Sequence, residues 1–212
     1  YIIKGLVKDG EIKKIKNFDL SKINFLFNLK KDFFDFNDIR LSLNNKEVLL
    51  PKLNIKNNQN KFLISGKNIN NNISLKENEI YQFLNKDLFF PGVISTEFSL
   101  ENNFSFFIDK KYQIKDLKID SNLDLKKMSF STKIDLKKYL PEINDKLILT
   151  NQKIQIRYKK NFLSVKGEGN IILQTEIDDI EYDLVKSEKD LKFDTLIKIK
   201  KNPMKLDFLN FQ

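Results

Sequence analysis

The sequence predicts a mainly β fold, a large antiparallel sheet with one short helix near 74–88. Three observations predict it. First, apolar and polar residues alternate along most of the chain, as strands with one dry and one wet face require. In the stretch 144–177, Ile154, Ile156 and Tyr158 alternate with Lys153, Gln155 and Arg157. Second, that hairpin pattern occurs earlier. Residues 37–66 also open on Asn-Asp, run strand, Asn-containing turn and strand, and close on Phe62-Leu63 near Gly66, matching Phe162-Leu163 and Gly167. The match needs a one-residue shift, so the repeat is degenerate and has no fixed coil length. Third, helical spacing is confined to 74–88. Ser74 and Glu77 have capping-box spacing, Ile80, Phe83, Leu84 and Leu88 share a helical face, and Pro91-Gly92 ends it.

The remaining elements follow in order. Residues 1–15 read as a strand with a hairpin turn at Asp9-Gly10. Ile23, Phe25, Phe27 and Leu29 share a face, as do Ile39, Leu41 and Leu43, then Leu53 and Ile55. Pro51 suggests an edge or a strand start. Residues 57–60 read as a turn and 68–72 as a polar loop. Past Gly92, Phe98 and Leu100 share a face, followed by Phe104, Phe106 and Ile108. Leu117, Ile119, Leu123 and Leu125 oppose Asp116, Lys118, Asp120, Asn122 and Asp124; Met128, Phe130, Ile134 and Leu136 form the next set. A loop is expected over 137–144, with Pro141. After the hairpin of 144–177 come Ile180-Tyr182-Leu184, Leu191-Phe193-Ile197-Ile199 and Met204-Leu206-Phe208.

Composition narrows the function. The net charge is +9, from 38 basic and 29 acidic residues. Only Arg40 and Arg157 are arginine, so the forked donor suited to phosphate and guanine is nearly absent. The lysines alternate with apolar residues along strands, which reads as a solvated face and not as a nucleic-acid footprint. With no Cys and no His, thiol and imidazole chemistry are excluded. The acidic run of 176–183 lacks the glycine-bearing spacing of a calcium loop. Asp32, Asp35 and Asp38 read as a turn. No G-x-S-x-G and no phosphate loop occurs, and no enzyme activity or cofactor is expected.

The whole chain 1–212 reads as one β-rich region, with a possible subdivision into 1–90 and 91–212. It begins at Tyr1 already in strand-like sequence and ends as abruptly, which predicts a piece of a longer protein. It contains no run of about 18 apolar residues of the kind that spans a membrane as a helix.

Roughly a dozen strands at about 4.8 Å spacing make a sheet nearly 60 Å wide. One short helix cannot cover its dry face, and large exposed apolar patches are uncommon. The sheet is therefore expected to close on a protein-filled core, as a sandwich or barrel, or to hold an apolar ligand.

The texture of 17–29 (NFDLSKINFLFNL), 116–125 (DLKIDSNLDL) and 128–136 (MSFSTKIDL), with hairpins that end in glycine after an apolar strand, resembles the AsmA-like superfamily of envelope proteins, which includes the TamB and YhdP types. The resemblance covers most of the chain. It implies a long, strongly curved antiparallel sheet forming an apolar groove (β-taco-like) that shields phospholipid acyl chains between inner and outer membranes. It further implies a periplasmic location, with an inner-membrane anchor outside this segment. Under it, Phe25, Phe27, Leu41, Phe106, Leu117, Ile119, Phe130, Ile134, Leu147, Leu149, Ile154, Ile156 and Tyr158 would line the groove. The alternative is a non-catalytic structural β-module of scaffold or adhesin type.

Overall fold

The computed structural model describes residues 1–15, 18–58, 61–83, 92–131 and 137–205. The strands are β1 (Ile3–Ile15), β2 (Phe18–Lys30), β3 (Phe33–Leu43), β4 (Lys46–Asn58), β5 (Lys61–Lys76), β6 (Val93–Ile108), β7 (Ile114–Ser131), β8 (Lys146–Lys159), β9 (Phe162–Ile172), β10 (Ile177–Lys186) and β11 (Leu191–Lys198). Among the described residues there is one short helix, α1 (Glu77–Phe83), after β5. Each strand pairs with its chain neighbours, always antiparallel, in the order β1 to β11. Among the described residues the result is one open sheet, with β1 and β11 at its edges.

The expectation of a closed barrel or two packed sheets is therefore not met among the described residues. The accessible surface is 15283 Å². A compact monomer of this mass would expose roughly 10,000 Å². Much of the sheet thus lacks a second layer. Short turns keep consecutive strands adjacent; Asn44-Asn45 between β3 and β4 adopts φ 46° and 63°, and Asn161 between β8 and β9 adopts φ 60°. Asn tolerates this left-handed region better than most residues.

Several expected loops are instead irregularities inside strands. Asp9-Gly10 lies within β1 and makes no hairpin; Asp9 has φ 52° and marks a register shift against β2. Residues 68–72 lie within β5, where Asn72 has φ 53° and the register shifts between Asn70 and Ile73. Pro51 is neither at an edge nor at a strand start. It sits inside β4, beside the shift between Leu49 and Lys52, where a missing N–H is tolerated.

These irregularities fall inside successive strands on a line that drifts across the sheet, the Asp38–Pro51 row meeting β8 at Ile156, five residues from Asn151. They pass from Asp9 through Lys22, Asp38, Pro51, Asn72 and Lys126 to Asn151. Asp38 lies opposite Pro51, and Lys126 opposite Asn151. Hydrogen bonds run along this seam. The Asp9 amide donates to Asn24 Oδ1 at 3.1 Å, the Asn72 amide to Ser99 Oγ at 3.0 Å, and Lys126 Nζ to Asn72 Oδ1 at 2.6 Å. A bulge adds one residue and so reverses the side-chain parity of its strand. Between Leu149 and Ile154 β8 advances five residues, while β9 opposite advances four, from Ile171 to Gly167. Leu149 and Ile154 therefore share a face although their numbers differ in parity. Asn151 at φ 51° makes this possible. We expect Asn151→Val to destabilise by about 1–2 kcal/mol, because a β-branched residue resists the left-handed region, while Asn151→Gly leaves stability unchanged or higher. Urea midpoints of the two variants check this.

The helix starts later than its spacing predicts. Ser74 and Leu75 remain in β5, paired with Glu97 and Thr96 of β6. Strand pairing wins over the local capping signal at Ser74. The capping geometry occurs two residues on: Glu79 Oε2 accepts the Lys76 amide at 2.9 Å, and Glu79 also pairs with Lys46 Nζ at 3.1 Å. These contacts hold the Glu79 carboxyl below its usual range, the Lys76 amide contributing most. The continuation over 84–88 lies outside the described residues.

Candidate functional site

Residues directly opposite one another in antiparallel strands project to the same face. The register therefore traces each face across the sheet. One row reads Gly5, Phe27, Phe36, Leu53, Gly66, Phe104, Ile119, Tyr158, Leu163, Lys186 and Leu191, one residue from each strand. The same face carries Phe25 and Leu41, opposite Val7 and Val48, and Phe106, opposite Ile64. Leu117 flanks Ile119 on β7, while Ile154 and Ile156 lie opposite Gly167 and Val165. Beyond the seam come Phe130 opposite Leu147 and Met128 opposite Leu149. Of the expected lining residues, Ile134 lies outside the described residues; the others share this apolar face.

Aromatic rings cluster on it. Phe25 and Phe36 meet edge-on at 5.6 Å between centroids, and Phe104 and Phe106 stack at 6.1 Å. Gly167 lets the Tyr182 ring lie flat on β9, since a Cβ there would meet the ring at 2.2 Å. Burial pushes the Tyr182 hydroxyl up to about 12.

Among the described residues, the buried apolar cluster of this face lies at one end. Leu140, Leu147, Ile171 and Leu173 form a buried cluster there, with Phe130, Ile143, Leu149, Ile180, Ile197 and Ile199 packed on it. A polar network holds the covering segments down. Asn202 Nδ2 donates to Asp178 Oδ2 at 2.6 Å, the Lys200 amide to Asp178 Oδ1 at 3.0 Å, and Gln174 Nε2 to the Pro203 carbonyl at 2.8 Å. The Glu142 amide donates to Gln174 Oε1 at 3.0 Å, and Asn144 Nδ2 donates to the Gln174 carbonyl. Asp178 and Gln174 are fully buried, so these bonds replace lost hydration. Phe130 and Leu147 thus face the protein's own core more than open space.

Sequence reasoning missed a polar stripe across the middle of the apolar face. Asn68, Asn102 and Ser121 stand in one row, Asn70 lies beside Asn68, and Ile156 continues the row. Ser121 Oγ donates to Asn102 Oδ1 at 2.9 Å and Asn68 Nδ2 to Asn70 Oδ1 at 2.7 Å. The alternation of β5 could have revealed it, had 68–72 not resembled a loop.

The other face carries most of the charge. Lys67 pairs with Glu101 at 2.7 Å, Lys166 with Asp183 at 2.9 Å and Lys198 with Glu181 at 2.5 Å. These pairs are exposed and add little stability. A trough of about 620 Å³ lies here, across β7 to β11. Its walls are Asn122, Gln155, Lys166, Asp183 and Asp194 on one side and Asp124, Lys153, Glu168, Glu181 and Leu196 on the other. The row Leu123, Ile154, Gly167, Tyr182 and Thr195 provides the floor through its backbone, its side chains pointing to the apolar face. This concavity is thus on the charged side.

Among the described residues, no helix is long and apolar enough to cross a membrane. No family model, no curated protein and no solved structure matches this chain.

Proposed function

We propose that the chain is a non-catalytic, lipid-handling segment of an AsmA-like envelope protein, whose apolar face shields phospholipid acyl chains in a groove during transfer between inner and outer membranes. One observation supports the reading: an apolar face that runs across all eleven strands and, among the described residues, carries its buried apolar cluster at one end. Each acyl CH₂ moved out of water onto such a face is worth about 0.8 kcal/mol. No nucleophile or cofactor is needed. The bend that turns a face into a groove would lie along the bulge seam, because bulges bend and twist the strands that carry them. Headgroups would stay at the rim, within reach of lysines. On this reading the segment works in the periplasm, and the inner-membrane anchor belongs to chain outside it.

Contact with acyl chains would fall on the uncovered part, at Phe25, Phe27, Leu41, Phe106, Leu117, Ile119, Ile154, Ile156 and Tyr158. Phe130, Leu147 and Leu149 would close one end. A second reading, a structural module of scaffold or adhesin type, draws on the position of the trough, which is on the charged side. The two readings differ in lipid binding. With fluorescent phospholipid supplied in phosphatidylethanolamine and phosphatidylglycerol vesicles, the lipid reading predicts saturable extraction. Ile156→Asp should weaken it about tenfold or more, a charge among acyl chains costing at least ~1.4 kcal/mol. Gln155→Asp, on the opposite face, should not. Absence of extraction by the wild-type chain leaves the structural reading.

A further inference from the structure

We infer that the β11 edge is a self-association surface, which pairs antiparallel with β11 of a second copy, centred on Phe193. The two sheet edges differ in what they offer. β1 is interrupted by register shifts against β2 between Val7 and Ile15, and carries Lys4, Lys8 and Lys13. Bulges and lysines are the usual means of blocking edge-to-edge pairing. β11 has no bulge, and its two lysines are already paired, Lys192 with Asp194 and Lys198 with Glu181. It pairs with β10 without a shift from Leu191 to Lys198, so its outer edge is regular. It also leaves Leu191 67 %, Phe193 58 % and Leu196 51 % exposed.

The sequence of this edge is self-complementary about Phe193. A two-fold axis normal to the sheet makes the new pair antiparallel and keeps both apolar faces on one side. With the axis at Phe193, the two Phe193 rings meet on the apolar face, and Leu191 meets the partner copy's Thr195. On the opposite face each Lys192 lies across from an Asp194. Within one copy Lys192 and Asp194 already pair at 2.9 Å while remaining largely exposed, so the exchange requires no charge to be stripped of its counter-ion. Sliding the axis to Asp194 sets two carboxylates against each other, and sliding it to Thr195 sets Lys192 against Lys198. Like charges directly opposed destabilise a pair. A shift by half a step would turn Phe193 to the charged face. An axis at Leu196 sets Asp194 against Lys198 but brings Lys192 opposite Lys200, so the Phe193 register is the one that pairs the exposed ring on the apolar face with no like charges opposed. Asp194 and Leu196 also stand at the open end of the trough, so the pairing would join two troughs into one.

The chain has no cysteine, which permits a direct test. Phe193→Cys places two thiols opposite each other on the axis, within the Cβ separation that a disulfide needs. Leu6→Cys, on the exposed β1 edge, is the control. Under mild oxidation the Phe193→Cys chain should form a disulfide-linked dimer about tenfold faster than the control, because pairing raises the effective thiol concentration. Wild-type chain should sediment as a concentration-dependent dimer. Lys192→Asp should abolish that dimer, and adding Asp194→Lys should restore it. Circular dichroism of each variant separates lost pairing from lost folding. A monomer at all concentrations, equal oxidation of the two cysteine variants, or faster oxidation of Leu6→Cys would overturn the inference. So would open-ended polymers, which require β11 to meet β1.

Discussion

Leu147→Asp should unfold the covered end of the sheet. Leu147 is 6 % exposed and packs with Leu140, Ile171 and Leu173. A carboxylate there would be stripped of water with no cation arranged to meet it. The expected loss is about 4 kcal/mol, a large share of a typical domain's stability. A fall in the urea midpoint checks it, together with loss of protection at the Asn144 amide, which donates to the Leu173 carbonyl at 2.8 Å. Phe130 packs on the same cluster, so Phe130→Asp reports on folding and not on lipid contact. Ile156 is the position that separates the two. It lies in mid-sheet, opposite Ser121 and Val165, away from the cluster, and is only half-buried. A stability near that of wild type for Leu147→Asp would mean that the end segments cover nothing.

The sequence made the strands legible wherever one face is wet. Along β7 and β8, Lys118, Asp120 and Asn122, and Lys153 and Gln155, are all exposed, and the apolar residues between them are all more buried. That is the condition under which period-two alternation is reliable. Alternation alone did not show that the sheet is open, because it states that a face is dry and not what dries it; the open antiparallel sheet came from the resemblance. The loops at Asp9-Gly10 and 68–72 fail for a different reason. Asp, Asn and Gly favour turns and left-handed bulges alike, and local chemistry does not distinguish them. The parity of the flanking residues does. Leu147 and Leu149 are odd, Ile154, Ile156 and Tyr158 are even, and both groups are apolar. A strand can reconcile them only by inserting one residue, and Asn151 is that residue. The same slip separates Leu123 and Leu125 from Met128 and Phe130 at Lys126. For the candidate site, the facing residues were readable from alternation, but the polar stripe of Asn68, Asn102 and Ser121 and the clamp of Gln174, Asp178 and Asn202 were not. Those depend on contacts between segments far apart in the chain.

The second large effect concerns what touches the uncovered face. Apolar side chains that are only half covered must meet water, protein or lipid, and area alone does not choose among them. A photo-activated cross-linking residue at Ile156 samples the apolar face, and one at Gln155, its chain neighbour, samples the charged face. Both chains would be illuminated with phosphatidylethanolamine and phosphatidylglycerol vesicles carrying radiolabelled acyl chains. Acyl-chain contact predicts labelled protein from position 156 and none above background from position 155. No label at either position, or equal label at both, would contradict the claim that this face shields lipid.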